Sequence, residues 1–297
     1  MAPPSSGGVT IMQALKILER FHLYNEEPFS NKSVHLMATA LRLAYADRNK
    51  YIADPDFVSV PTRLMLEENY LLKRSELIDP EKLLTHVSAG DPSVQMHHFA
   101  SLKMIEPPST THLSIVDMQG NAVSMTTTIE RAFGSGLVTK SGFLLNNQMT
   151  DFDFKPTYRG SRVANAIEPY KRPRSSMAPF IIFDRDDNLK LVIGSPGGAR
   201  IISYLLPKII AVLDWKMPLD LAIELPNMAA MSRKPYIELE RGTDLDELKS
   251  YLSAMGYGII MRDQPSGIHA IRIKYQDGRK QLIGAADTRR EGQAKGR

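Results

Sequence analysis

The sequence contains no cysteine, which excludes disulfides, thiolate zinc sites and a cysteine nucleophile while leaving the redox compartment open. It holds no apolar run near the ~18–20 residues that a membrane-spanning helix needs. The opening residues M-A-P-P-S-S-G-G lack the basic stretch and apolar core of a secretory signal. His35, His97, His98, His112 and His269 show no ligand spacing such as H-E-x-x-H, so no metal site and no cofactor are expected. Nor is charge of one sign concentrated: 37 Lys+Arg stand against 33 Asp+Glu, a net charge of +4. The one basic stretch, Arg289 to Arg297, reads as a solvated end, and no nucleic-acid partner is expected. No internal repeat is present.

What remains is an ordinary globular composition, 43% hydrophobic over 297 residues, enough for one large core or two small ones. The first third has helical periodicity. A helix is expected over Val9–Phe21, after a loop at Gly7-Gly8, and another from Ser33 to about Tyr51, stopped by Asp54-Pro55-Asp56. Shorter helices are expected around Leu66–Leu77 and Pro80–Leu84. Ala89 to Ser109 lacks periodic apolar positions and ends in Pro107-Pro108-Ser109, the mark of an extended, exposed connection. Alternation then begins abruptly: Thr111–Asp117 and Ala122–Thr128 flank the turn Gln119-Gly120-Asn121 and predict a hairpin. Further strands are expected at Phe143–Leu145, Phe180–Phe183, Leu189–Ile193, Tyr236–Leu239, Gly258–Met261, His269–Tyr275 and Leu282–Ala285. Helices are expected at Arg200–Leu213, kinked at Pro207, at Pro218–Leu225 and at Asp244–Met255. Strands grouped at the centre, with helices before and among them, predict helices packed on sheet layers in an α+β sandwich.

Four stretches could carry chemistry. In Ser109-Thr110-Thr111-His112, a threonine hydroxyl needs a base within hydrogen-bond reach to act as a nucleophile. Cutting the chain before Thr110 would supply one, an α-amine of unperturbed pKa ~7.7–8.0 on the same residue. Read by themselves, Thr110 and Thr111 are also accounted for by a strand start, where threonine is common. Gly194-Ser195-Pro196-Gly197-Gly198-Ala199-Arg200, between a strand and a helix, suits either an oxyanion or phosphate cradle or a tight turn. It matches neither nucleotide-binding glycine pattern, and Ser195 is followed by proline and so lies outside G-x-S-x-G. Asn146-Asn147-Gln148-Met149-Thr150-Asp151 sets polar groups at a strand end. Lys171-Arg172-Pro173-Arg174-Ser175-Ser176-Met177 offers two adjacent hydroxyls that suit either a bound carboxylate or a solvated loop.

Taken in order, these stretches resemble the γ-glutamyltranspeptidase family. Thr110-Thr111-His112-x-Ser114 is similar to the start of its small subunit. Phe133-Gly134-Ser135-Gly136, Leu144 through Phe152, Lys171-Arg172-Pro173-x-Ser175-Ser176-Met177 and Gly194-Ser195-Pro196-Gly197-Gly198 resemble its later motifs. Pro3 to Gly8, and Leu43-Ala44-Tyr45-Ala46-Asp47-Arg48 through Val58, resemble the end of its large subunit. Asp287-Thr288-Arg289-Arg290-x-Gly292 resembles its final motif, with Thr288 where proline is usual. The resemblance covers essentially the whole chain.

The resemblance implies the αββα sandwich of the N-terminal-nucleophile hydrolases, in one incomplete domain, with self-cleavage between Ser109 and Thr110. Residues 1–109 would be the C-terminal part of the large subunit and 110–297 the small subunit, the two remaining associated. It implies that Thr110 attacks the γ-carbonyl of a γ-glutamyl compound such as glutathione, with Thr128 bonded to the nucleophile and Gly197 and Gly198 forming the oxyanion hole. Gln148 and Asp151, with Glu130 where some members have Asn, would hold the α-ammonium, and Ser175 and Ser176 the α-carboxylate. Water or an amino-acid or peptide amine would accept the acyl group. The segment Pro156–Asn165 looks shorter than a full lid.

One departure matters. The family's large subunit extends well upstream of Pro3, and that upstream half carries sheet strands, helices and the arginine that pairs with the α-carboxylate. Arg48 belongs to a different motif and does not replace it. A missing layer is expected to leave apolar faces that call for a complementing chain. Two other readings therefore stand beside the enzyme: an inactive fragment or assembly partner, and an amidase of the cephalosporin or glutaryl acylase kind. The family resemblance implies a periplasmic or extracellular location.

Overall fold

The computed structural model describes residues 1–92, 99–100, 110–276 and 279–296. Most of the expected connection Ala89–Ser109, with His97, His98 and the Ser109 side of the expected cut, lies outside the described residues. The chain runs through α1 (Gly7–Leu18), α2 (Asn31–Tyr51), α3 (Thr62–Met65) and α4 (Glu68–Ser75), then β1 (Thr110–Val116) and β2 (Ala122–Thr128). Two short strands, β3 (Thr157–Tyr158) and β4 (Ser161–Arg162), precede β5 (Phe180–Phe183) and β6 (Leu189–Gly194). Then come α5 (Ile201–Leu213), α6 (Leu219–Glu224), β7 (Met228–Ala229), β8 (Tyr236–Glu240), α7 (Leu245–Ala254), β9 (Gly258–Arg262), β10 (His269–Gln276) and β11 (Arg279–Ala286). The class is α+β, as the sequence leads one to expect.

The centre is an antiparallel sheet in the order β11-β10-β6-β5. One face is packed by helices. Leu191, Ile193 and Ala270 join Ile11, Leu36, Leu41, Ile202, Leu205 and Ile209 in a single core, each buried leucine or isoleucine contributing about 1.5–3 kcal/mol. α2 is buried along most of its length, its polar His35, Arg42, Asp47 and Arg48 included, and those buried polar groups find hydrogen-bond partners. Ser30 caps it, its hydroxyl accepting from the Ser33 N–H at 3.2 Å. On the other face lies the β1–β2 hairpin, β1 over β10 and β6, β2 over β6 and β5. Ser114 and Ser124 stitch it down through hydrogen bonds to the carbonyls of His269 and Ile193. A third sheet, β7-β8-β9, joins β8 and β9 in parallel across α7.

Three local expectations are corrected. Gly7 and Gly8 are not a loop but the buried first turn of α1. A Cβ on Gly7 would stand 2.5 Å from the Ala178 Cβ and 2.7 Å from the carbonyls of Ser176 and Met177, so the glycine is what lets this helix touch the chain at Ser176–Ala178. Residues 80–84 form no helix: the Asp79 carboxylate accepts the Glu81 N–H at 2.9 Å, a side-chain turn that competes with a helical one. The segment Phe143–Leu145 forms one isolated bridge, Val138 to Leu144, rather than a strand, and its Phe143 and Leu145 side chains are exposed. α5 continues through Pro207.

Candidate active site

The hairpin register sets the first pair. Thr110 opens β1 directly opposite Thr128, the last residue of β2, and residues paired across an antiparallel ladder share a face. The Thr110 hydroxyl donates to Thr128 Oγ1 at 3.2 Å, and the Glu130 N–H donates to the same oxygen at 2.9 Å. Glu130 holds a left-handed backbone, φ 74°, which costs a non-glycine residue about 1–3 kcal/mol. The neighbours that hold it are visible: Asn147 Nδ2 donates to its carboxylate, and the Arg131 N–H donates to Asn147 Oδ1 at 3.0 Å. The Glu130 side chain is buried.

The next pair comes from a single 3₁₀ turn, Gln148–Asp151. Residues three apart eclipse in such a turn, and Gln148 Nε2 accordingly donates to the Asp151 carboxylate. Asn165 fastens the turn to the serine segment. Its Nδ2 donates to the Asp151 carbonyl at 2.8 Å while its Oδ1 accepts the Arg174 N–H at 2.9 Å.

Ser175 and Ser176 are held from below by the chain's first residues. Ser5 bridges Ser175, and both the N–H and the hydroxyl of Ser6 donate to the Ser175 carbonyl at 2.7 Å. Between β6 and α5, Gly197 and Gly198 take φ of 146° and 58°, values that glycine adopts at no steric cost. Tyr45 of α2 donates to the Ala199 carbonyl at 2.5 Å and fixes the end of that loop.

Thr110, Thr128, Glu130, Gln148, Asp151, Ser175, Ser176 and Gly198 line one cavity with Met177 and Ile201. Of the nine residues singled out in the sequence, Gly197 alone does not line it, although it adjoins Gly198. The cavity is a small cleft between the end of the hairpin, the 3₁₀ turn, the serine pair and the glycine loop. Two acids, two hydroxyls and a threonine pair in one small cavity can hold an ammonium and a carboxylate together beside a nucleophile. Among the described residues, no cluster of His, Cys, Asp or Glu that could hold a metal is present.

Sequence reasoning passed over several groups that shape the site. Asn147 and Asn165 tie its loops together, and Arg48 of α2 reaches Ser176 Oγ at 2.5 Å. Arg290 donates to the Thr110 carbonyl at 3.4 Å and to that of Pro265 at 3.1 Å, which brings the C-terminal motif beside Thr110. Spacings of 128 and 180 residues carry no periodic signal. Two residues after Thr110 on the same inward face, His112 is buried between Thr126 Oγ1 (2.8 Å) and Ser114 Oγ (3.1 Å). Burial, and then the nearby His269, push its pKa down to about 4, so the ring is neutral at pH 7.

The Gamma-glutamyltranspeptidase family profile matches residues 1–297. The chain is 39% identical to the glutathione hydrolase proenzyme of Bacillus subtilis (strain 168) over 302 aligned residues, covering 99% of this chain and 50% of that protein. A solved acivicin-inhibited γ-glutamyltranspeptidase is 38% identical, with a TM-score of 0.56, over 61% of this chain and all of that one. The cephalosporin acylase of Bacillus halodurans shares the fold over 99% of this chain and 49% of its own, with a TM-score of 0.82 at 21% identity. The chain spans about half the length of the curated relatives it matches.

Proposed function

The chain belongs to the γ-glutamyltranspeptidase family, and from that premise we propose that it carries the catalytic half of a γ-glutamyl transfer and hydrolysis site. In this reading the chain is cut between Ser109 and Thr110. The freed Thr110 amine takes the proton of the Thr110 hydroxyl as the oxygen attacks the γ-carbonyl of a donor such as glutathione. The N–H groups of Gly197 and Gly198 stabilise the oxyanion. Collapse expels the donor's amine, which takes the proton from the Thr110 ammonium and leaves a γ-glutamyl ester on Thr110. Water or an amino-acid or peptide amine then attacks the ester, with the same α-amine as base, and regenerates the hydroxyl. Thr128 holds the Thr110 oxygen in place. Glu130, Gln148 and Asp151 take the α-ammonium, and Ser175 and Ser176 the α-carboxylate. The periplasmic or extracellular location expected of full-length relatives goes with this reading.

The observation that carries the proposal is the cavity in which Thr110 and Thr128 meet two carboxyl side chains and the serine pair. A glutaryl-reading amidase has no ammonium to pair, and the buried Glu130 and Asp151 weigh against it. A second reading is an assembly partner without turnover of its own.

Intact mass of the purified chain, with Thr110→Ala as control, separates the two. Pieces of residues 1–109 and 110–297, absent from the variant, are the expected result. A single uncut mass would favour the assembly partner. With cleaved protein, γ-glutamyl-p-nitroanilide is expected to be preferred over glutaryl-p-nitroanilide, and Asp151→Asn to lower that preference at least tenfold, about 1.4 kcal/mol. A preference for glutaryl would hand the site to the acylase reading.

A further inference from the structure

Beneath the serine pair lies a buried cation. Arg48, near the C-terminal end of α2, is only 2% exposed, yet its guanidinium reaches the cavity wall. Nη2 donates to Ser176 Oγ at 2.5 Å and Nε to Ser6 Oγ at 2.7 Å. Arginine offers five donors and no acceptor. A hydroxyl that faces it must therefore accept, and its own proton must point elsewhere. Ser6 displays this arrangement in full, accepting from Arg48 and passing its proton to the Ser175 carbonyl. Ser176 accepts in the same way, and it lines the cavity.

We propose that Arg48 is the positioning residue of the carboxylate subsite. It fixes Ser176 as a hydrogen-bond donor into the cavity and sets a positive potential one layer behind it, without touching the ligand. This deepens the γ-glutamyl reading and rests on it. A guanidinium–hydroxyl contact this short is charge-assisted, and in a low-dielectric interior its potential reaches an anion bound at the hydroxyl with little screening.

Two measurements test this. The sequence contains no cysteine, so Ser176→Cys introduces a single thiol whose ionisation can be followed by absorbance at 240 nm. Beside the guanidinium it is expected to titrate at least one unit below the ordinary ~8.5. A thiol titrating at or above that value overturns the proposal without any ligand. The second measurement is calorimetric binding to the Thr110→Ala chain of L-glutamate and of 4-aminobutyrate, which lacks the α-carboxylate. Arg48→Lys is expected to weaken glutamate about tenfold and to leave 4-aminobutyrate unchanged, because an ammonium cannot reproduce the guanidinium's two-point hold on Ser6 and Ser176. Equal weakening of both ligands, or none, overturns the proposal. If the chain with Arg48 intact binds no glutamate while the thiol pKa is depressed, the γ-glutamyl reading falls and the carboxylate role falls with it, but the polarised Ser176 stands. Should Arg48→Lys fail to fold, the thiol titration alone decides.

Discussion

His112 connects the site to the stability of the hairpin that carries it. Its pKa of about 4 in the folded protein has burial as its chief cause, with His269 adding to it, whereas an unfolded histidine titrates near 6.5. Between these values the unfolded chain binds the extra proton and the folded chain does not. Stability therefore rises with pH through this window and is lost on acidification, by up to about 3 kcal/mol from this residue. His112→Gln should flatten the dependence of the thermal midpoint on pH between about 6.5 and 4, and superimposable curves for the two proteins would show that His112 does not set it. From the sequence, His112 was legible as a member of the opening motif of the second segment. Its neutral, buried state was not, because that depends on the sheet face it packs against. Arg48 is legible in the sequence as part of a large-subunit motif, but its tie to the serine pair is not, for the same physical reason: its two serine partners are 42 and 128 residues away, and only folding brings them together.

At the level of elements, the β1–β2 hairpin has an unusual polarity. Thr110, His112, Ser114, Ser124, Thr126 and Thr128 point inward to the central sheet, while Leu113, Ile115, Val123 and Met125 form the outer face, with Ile115 54% and Val123 48% exposed. The alternation itself was readable, and it gave the strands and the turn. Alternation alone does not tell which face is covered, and here the polar face, with Thr110 and Thr128, is the inner one. The outer positions make few packing contacts to lose, so Val123→Lys with Met125→Glu should change stability by no more than about 0.5 kcal/mol. The pair should lower binding of a hydrophobic dye and reduce self-association in light scattering. A cooperative loss of structure in this double variant would mean that the outer face is packed in solution. The 3₁₀ turn at Gln148–Asp151 illustrates the opposite limit. The motif named its residues, but the period-three geometry that joins Gln148 to Asp151 has no signature in so short a stretch.

For the whole molecule, the question is what holds the two sides of the expected cut together. The main core draws Ile11, Ile17, Leu36 and Leu41 from before residue 109 and Leu191, Ile202, Leu205 and Ile209 from after it, so neither segment can bury its apolar surface alone. Polar ties cross the same boundary. Arg42, fully buried, donates to the carbonyls of Ser232 and Arg233. His35 meets the Tyr257 hydroxyl at 2.9 Å, Trp215 Nε1 reaches the Leu23 carbonyl at 2.7 Å, and Arg172 pairs with Asp54 at 2.6 Å. Breaking the chain at one bond removes none of these contacts. The loss of chain connectivity is an entropic cost at separation, and it is set against a shared core of dozens of side chains. After cleavage the two pieces should therefore elute as one particle in size-exclusion chromatography and separate only in denaturant. Substitutions that hollow the shared core, such as Leu205→Ala, should cost about 2–5 kcal/mol and lower the denaturant concentration at which the pieces part. Separate elution of the pieces under native conditions would mean that the segments fold as independent units, against the common core described here.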